Sequence, residues 1–569
     1  MLSRNRIVLV AALFGLLVGT WSVAPRTMAS GSTTVRGERG VVVSDSREAS
    51  RVGIKVLNQG GSAVDAAVAV AMALAVTLPE AGNLGGGGFM MVLPAPGATP
   101  VCVEYRETAP AAATPTMFRL GESHLGYKAI GTPGTVRGLA LAQRRFGKLA
   151  WKRLVEPAVE LATQGFPLSR RLAASLNRVL ADSAAFAEFR RVYGKDAGRA
   201  AWQAGDRLVL PDLAATLRQI ADSGPNAFYQ GDIARRIVAE IHAGGGLINA
   251  GDLAAYQAHV RPSITGTFHG YQVCAPPPPS SGGIVLVEML NVLENFDLHR
   301  LGPRSPPTWH RVIETMRRAY RDRAAYLGDT DFVKIPKHLT TKTYARRLAG
   351  EIDLRRATPS EALAGDIPLA GESPHTTHFS IIDADGMAVA NTYTLEQSYG
   401  SRVVVRGAGF LLNNEMGDFN WKPGHTDRRG NIGTPANVIA PGKRMLSSQT
   451  PTLVLRDGRA VLITGSPGGR TIINTVLCVL LNRLEFGLSP RESVDAPRWH
   501  QGWFPDMVRF EGVNDPRYAE TVTRLRAMGH LFSDKAARQG SAHTIWIDPR
   551  TGRRVGVADT RRDGFAAAQ

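Results

Sequence analysis

The stretch from Thr376 to Thr394, TTHFSIIDADGMAVANTYT, constrains the fold more than any other part of the chain. Its two arms alternate as strands around Asp383 to Gly386, a strong hairpin signal. A two-residue turn near Asp385 and Gly386 makes paired positions sum to about 770, which sets Thr376 opposite Tyr393 to Leu395. Thr392 and Thr394 then approach the first residue of the hairpin.

Texture changes at this hairpin. Upstream, GVVVSDSREASRVGIKVLNQGGSAVDAAVAVAMALAVTLPEAGNLGGGGFMMVL reads as strand, helix, helix, Gly-rich loop, strand. Ser62 with Asp65 three residues on is a capping box opening an Ala-rich helix that ends before Pro79. Its Ala/Val content and limited length predict a tightly packed interior helix rather than a membrane span. From about Thr132 to Phe332 helical patterns dominate. CAPPPPSSGG (Cys274 to Gly283) lies between the strand-like GTFHGYQV and the apolar helix GIVLVEMLNVLENF, which predicts an ordered loop rather than a linker. Arg355 to His375 lacks periodicity and reads as flexible and exposed. Beyond it, strand patterns recur at RVVVRG, PTLVLRD, AVLITG, HTIWID and RVGVAD, with one helix at TIINTVLCVLLNRLEFG. This order predicts α+β architecture with layered sheets rather than a doubly wound parallel sheet.

The chain has 569 residues, a length that by itself allows three or four domains. Its formal charge of +18 and pI near 10.1 fit nucleic acid, an anionic membrane surface or a basic exported enzyme. No run of five Lys/Arg and no nucleic-acid motif occurs, so a basic exported enzyme is the expectation. Arg4 and Arg6 precede the apolar run Ile7 to Ala24, which reads as an export signal cut after Ala29. The run is also just long enough for an uncleaved anchor. Cys102, Cys274 and Cys478 are too few for a disulfide framework and allow one bridge at most.

SPHTTHFS (Ser373 to Ser380) admits four readings. His375 and His378 as metal ligands would converge poorly on a strand, and no cluster nearby completes a site. A threonine beside a His base would need a convergent carboxylate, and TGSPGG (Thr464 to Gly469) lacks the first Gly of a G-x-S-x-G elbow. Thr376 and Thr377 also fit as ordinary β-branched strand residues. In the fourth reading the chain is cut before Thr376. An N-terminal threonine carries a hydroxyl nucleophile together with an amine of pKa about 7.7–8.0, so it supplies its own base near neutral pH.

GGSAVDAAVAV, AGNLGGGGFM, GTPGTVRGL, PPPSSGG, TTHFS, LLNNEMGDF, GSPGG and DAPRWH occur in this order. With them the chain resembles the γ-glutamyltransferases, also called γ-glutamyl transpeptidases or glutathione hydrolases, over nearly its whole mature length. The resemblance implies a four-layer αββα sandwich of the N-terminal-nucleophile hydrolase type, one intertwined domain of two subunits made by self-cleavage. The expected boundaries are a signal peptide at 1–29, a large subunit at 30–375 ending in His375, and a small catalytic subunit at 376–569 that forms a heterodimer with it.

By the same resemblance, Thr376 is the agent of cleavage and the mature nucleophile, Thr394 its hydroxyl partner, and the amides of Gly468 and Gly469 the oxyanion site. A glycine turn between a strand and a helix suits that last role, since it leaves donors free for developing negative charge. Arg106, Ser447 and Ser448 match the residues that hold the α-carboxylate of a γ-glutamyl group. Asp418 matches the acid for its ammonium, assisted by Glu396 and Glu415. Many members have Asn and Gln at those last two positions, and like charges held close raise a carboxyl pKa. Asn420 to Ala436 has the length of the family's lid loop, with Arg429 where lidded members usually have tyrosine.

The implied activity is attack on a γ-glutamyl amide such as glutathione, with water or an amino acid or peptide amine resolving the ester. No metal, organic cofactor or nucleic acid is implied, and the expected location is periplasmic or secreted. The alternatives are an acylase or poly-γ-glutamate enzyme on the same scaffold, or a non-catalytic single-chain binding protein.

Overall fold

Capping, alternation and glycine placement set the elements. The computed structural model describes residues 33–119, 121–365 and 376–569. The expected signal segment and His375 lie outside the described residues.

In chain order the strands of the two large sheets are β1 (Thr34–Gly37), β2 (Val41–Ser44), β3 (Gly87–Leu93), β4 (Val101–Glu104), β5 (His259–Pro262), β6 (Ile264–Phe268) and β7 (Tyr271–Ala275). They continue with β8 (Thr377–Ile382), β9 (Ala388–Thr394), β10 (Thr452–Arg456), β11 (Arg459–Thr464), β12 (Thr544–Ile547), β13 (Arg554–Val557) and β14 (Phe565–Ala568). One seven-stranded sheet runs β1-β13-β12-β11-β10-β7-β6 and the other β14-β2-β8-β9-β3-β4-β5. Every pairing in both is antiparallel.

The period of two along each strand builds the layers. Val41, Val43, Phe89, Met91 and Ile382 of one sheet share a core with Leu453, Leu455, Ile463, Ile545 and Ile547 of the other. The alternate residues Val42, Met90, Val92, Ile381 and Val389 turn outward onto the helices Arg47–Asn58, Ala63–Thr77 and Trp151–Gln164. On the far side Val273, Val454 and Leu462 pack against the helices Gly282–Leu293, Pro306–Tyr326 and Thr471–Leu480. The result is the expected αββα sandwich. The helix Ala63–Thr77 is buried along its whole length. Ser62 caps it: Asp65 N–H donates to Ser62 Oγ at 3.1 Å, and Ser62 N–H donates to Asp65 Oδ2 at 2.9 Å. Among the described residues no helix is long and apolar enough to cross a membrane.

The β8–β9 register runs from Thr377 opposite Tyr393 to Ile382 opposite Ala388, so Thr376 leads directly toward Thr394 as expected. The turn differs. Asp383 N–H donates to Met387 O at 3.1 Å, leaving Ala384, Asp385 and Gly386 as a three-residue loop rather than a two-residue turn. Gly386 supplies the left-handed position at φ +87°, and Asp383 Oδ1 accepts the amides of Asp385 and Met387. A side-chain cap therefore selects the longer loop while preserving the register.

One further expectation is corrected. RVVVRG is not a strand: only Val404 bridges Leu411, because Gly407 and Gly409, both at positive φ, close a turn too soon for a ladder. Its valines instead join the helix-side core. The described part of the segment expected to be exposed, 355–365, is buried only at Ser360, whose hydroxyl donates to Trp503 O at 2.5 Å and whose amide donates to Asp506 Oδ2 at 2.7 Å. The three cysteines are buried and unbridged.

Candidate active site

Thr376 stands immediately before β8, 4 % exposed. Its hydroxyl donates to Thr394 Oγ1 at 3.4 Å, and Thr394 Oγ1 also accepts the Glu396 amide at 2.8 Å. The glycine run AGNLGGGG makes this end of β9 possible. A Cβ on Gly86 would lie 2.0 Å from the Thr394 carbonyl oxygen. With glycine there, Asn83 Nδ2 donates to the same carbonyl at 2.9 Å. Glu396 follows in the left-handed region at φ +76°, a strained position for a non-glycine residue that fixes where its carboxylate sits.

A cavity open to solvent is lined by Thr376 and Thr394 together with Arg106, Glu396, Glu415, Asp418, Ser447, Ser448 and Gly469. The structure thus gathers onto one cavity nearly every residue singled out from sequence. Gly468 lies one residue back from that lining. Among the described residues neither the Gly468 nor the Gly469 amide has a hydrogen-bond acceptor, while Gly468 O accepts from Thr471 at the start of the following helix. Both glycines have positive φ, 136° and 55°. Gly469 thus brings a turn with unpartnered amides to the cavity that Thr376 also lines.

Arg106 is fully buried and holds the acidic end together. Its Nη1 lies 2.6 Å from Glu415 and 3.5 Å from Glu107, and its Nη2 pairs with Asp418. Its Nε donates to Met445 O at 3.3 Å. These carboxylates hold the guanidinium firmly in its charged form. One cation is shared among several acids, so burial wins at the two deepest. It pushes Glu107 up to about 8 and raises Glu415 well above the usual carboxylate range, against the pull of Arg106. Of the three acids expected to raise one another's pKa, Glu415 is raised, chiefly by burial, with the carboxylates of Glu107, Asp418 and Glu396 adding to the shift. Asp418 is more open, with a side chain 19 % exposed.

Ser447 and Ser448 reach the cavity because the Pro-rich loop clamps them. Ser447 N–H donates to Pro279 O at 2.8 Å, and Ser281 N–H donates to Ser447 O at 2.8 Å. CAPPPPSSGG is thus an ordered loop, as predicted, and it holds the serine pair in place. The loop Asn420–Ala436 lies beside the site, with Trp421 stacked on Phe118 at 4.1 Å and the Thr434 hydroxyl donating to Ala324 O at 2.7 Å. Arg429 is exposed and outside the cavity lining.

Sequence reasoning missed the support behind Thr376. Arg562 Nη1 donates to the Thr376 carbonyl at 3.1 Å. The Thr377 hydroxyl donates to Asp45 Oδ2 at 3.1 Å, and His543 Nε2 lies 2.9 Å from Asp45 Oδ1. Burial alone would raise the Asp45 carboxyl, but His543 and Arg562 hold it well below the usual range. These partners are separated from Thr376 by up to several hundred residues, and no local pattern marks them. Glu107, also missed, adjoins Arg106 in sequence but gives no sign there of being buried. Among the described residues no group of His, Cys, Asp and Glu is arranged to hold a metal.

A four-layer sandwich that presents a threonine hydroxyl at the head of a central strand, beside free amides on a glycine turn, is the construction of an N-terminal-nucleophile hydrolase. The family model described as Gamma-glutamyltranspeptidase matches residues 49–569, and the chain belongs to that family. It is 43 % identical over 535 residues to the glutathione hydrolase proenzyme of Escherichia coli (strain K12), covering 93 % of this chain and 91 % of that one. Among solved structures it is similar to a cephalosporin acylase from Bacillus halodurans, with TM-score 0.82 and 25 % identity over 96 % of this chain and 99 % of that one. It is also similar to a γ-glutamyltranspeptidase of Helicobacter pylori, with TM-score 0.54 and 40 % identity over 56 % and 92 % of the two chains.

Proposed function

We propose that the protein is an exported, self-processing γ-glutamyltransferase and glutathione hydrolase that uses Thr376 as nucleophile. The observation that carries this reading is the Thr376–Thr394 hydroxyl pair at 3.4 Å on the same cavity as Arg106 and Asp418. In the uncut chain the Thr376 oxygen adds to the carbonyl carbon of residue 375 and the peptide C–N bond breaks. The nitrogen takes the proton and becomes the free amine of Thr376. Water then hydrolyses the ester, leaving a carboxylate on residue 375.

In the mature enzyme that amine accepts the Thr376 hydroxyl proton as the oxygen attacks the γ-carbonyl of the substrate. Thr394 fixes the hydroxyl, and the Gly468 and Gly469 amides meet the developing oxyanion. The proton passes to the leaving amine, and water or an acceptor amine resolves the γ-glutamyl ester. Within the protein Arg106 pairs with Asp418. A γ-glutamyl zwitterion exchanges this internal pair for two of its own, carboxylate to Arg106 and the serines, ammonium to Asp418, Glu396 and Glu415. A substrate lacking either charge leaves one partner uncompensated.

Release of chromophore from a γ-glutamyl anilide by processed protein, with and without a dipeptide acceptor, tests this reading. No release from fully cleaved protein overturns it. An acylase reading is supported by the likeness to the cephalosporin acylase, and preferential cleavage of glutaryl amides would favour it.

A further inference from the structure

The helix Pro306–Tyr326 supplies a second buried arginine close to the cavity. Arg323 is 2 % exposed and does not line the cavity itself. Its Nη2 donates to Ser448 Oγ at 3.0 Å, and its Nε donates to Ser281 Oγ at 2.9 Å. The Ser281 hydroxyl in turn donates to the Ser447 carbonyl at 2.6 Å. One guanidinium fork therefore holds the Ser448 hydroxyl directly and, through Ser281, the backbone carbonyl of Ser447.

We infer that Arg323 is a positioning residue that turns Ser448 into a donor for the substrate α-carboxylate. A hydroxyl has one proton and two lone pairs. With Arg323 on a lone pair of Ser448, the oxygen has an acceptor contact inside the protein and its proton is left for the cavity that Ser448 lines. A cationic donor also polarises that O–H bond, strengthening its donation to an anion. The two contacts leave from different nitrogens of one rigid plane, a geometry that the single ammonium of lysine does not reproduce. Ser448 lies after Thr376 in the chain and Arg323 before it. On the proposed cleavage the contact therefore becomes one between subunits, and the carboxylate pocket is complete only while they remain joined.

The inference rests on the γ-glutamyl reading, and one substrate pair separates the two. γ-Glutamyl p-nitroanilide carries the α-carboxylate, whereas 4-aminobutyryl p-nitroanilide is the same molecule without it. Arg323→Met and Arg323→Lys are expected to raise KM for the first by about 10- to 100-fold, the value of a charge-assisted hydrogen bond. Their kcat should change only a few-fold, and kcat/KM for the second substrate should stay at the wild-type value. In a Ser448→Ala background, Arg323→Met should add little. Equal losses on both substrates, an undiminished loss in the Ser448→Ala background, or failure of even the lysine variant to fold and process would each overturn the inference. Wild-type enzyme that does not distinguish the two substrates would instead overturn the γ-glutamyl reading.

Discussion

At the scale of single residues the site depends on one hydroxyl and one shared cation. Thr376→Ala should remain a single chain on denaturing electrophoresis, because no nucleophile is left to open the preceding peptide bond. Appearance of two fragments in that variant would remove Thr376 from its role. Asp418→Ala should impair γ-glutamyl amides roughly 30-fold or more beyond its effect on glutaryl amides, since only the former carry an ammonium. Matched losses, read as kcat/KM on both, would contradict the assignment. Glu107 gives a pH prediction. Its carboxyl is raised to about 8 in the folded protein, so between the ordinary carboxylate range and pH 8 the folded state binds more protons than the unfolded one. Stability contributed by this group is present at low pH and declines as pH rises through that window. Glu107→Gln should flatten the decline in urea midpoints measured from pH 5 to pH 8.

Elements place these residues. The hairpin register brings Thr394 to Thr376, and glycines at its flank let β3 lie against β9. The turn before the helix Thr471–Leu480 has a similar dependence on glycine: a Cβ on Gly468 would lie 2.6 Å from Thr471 Oγ1, at a φ that L residues avoid. Gly468→Ala should lower kcat by about 10²–10³-fold, the value of one lost oxyanion donor. Its melting temperature should fall as well, since alanine is strained at that φ, and a drop in stability with intact kcat would assign the glycine to folding alone. The hairpin and the capped Ala-rich helix were legible because their signals are local: alternation, a turn glycine, a Ser–Asp box. RVVVRG misled because an apolar β-branched run reads the same whether a ladder or a helix-side core buries it. The three-residue loop at Asp383 escaped notice because a side-chain cap, invisible in a strand pattern, chose it.

In the whole molecule both sheets interleave the two sides of the proposed cut. β14, β8 and β9 alternate with β2, β3, β4 and β5 in one sheet, and β13 to β10 lie between β1 and β7 in the other. Cleaved protein should therefore elute as one species on gel filtration and unfold in a single transition, with two fragments separating only under denaturing conditions. Independent elution of the fragments under native conditions would contradict this. From the sequence alone came the layered α+β class and the hairpin register, through short-range patterns, and, through the resemblance its ordered motifs carry, the four-layer sandwich and the candidacy of Thr376, Thr394, Arg106, Asp418 and the serine pair. Tertiary structure alone decided that Arg106 is shared among several carboxylates, that Glu107 is driven up by burial, and that Asp45, Arg323 and Arg562 stand behind the site. Those facts depend on which distant groups are brought together away from water, and desolvation and Coulomb energy act through space rather than along the chain.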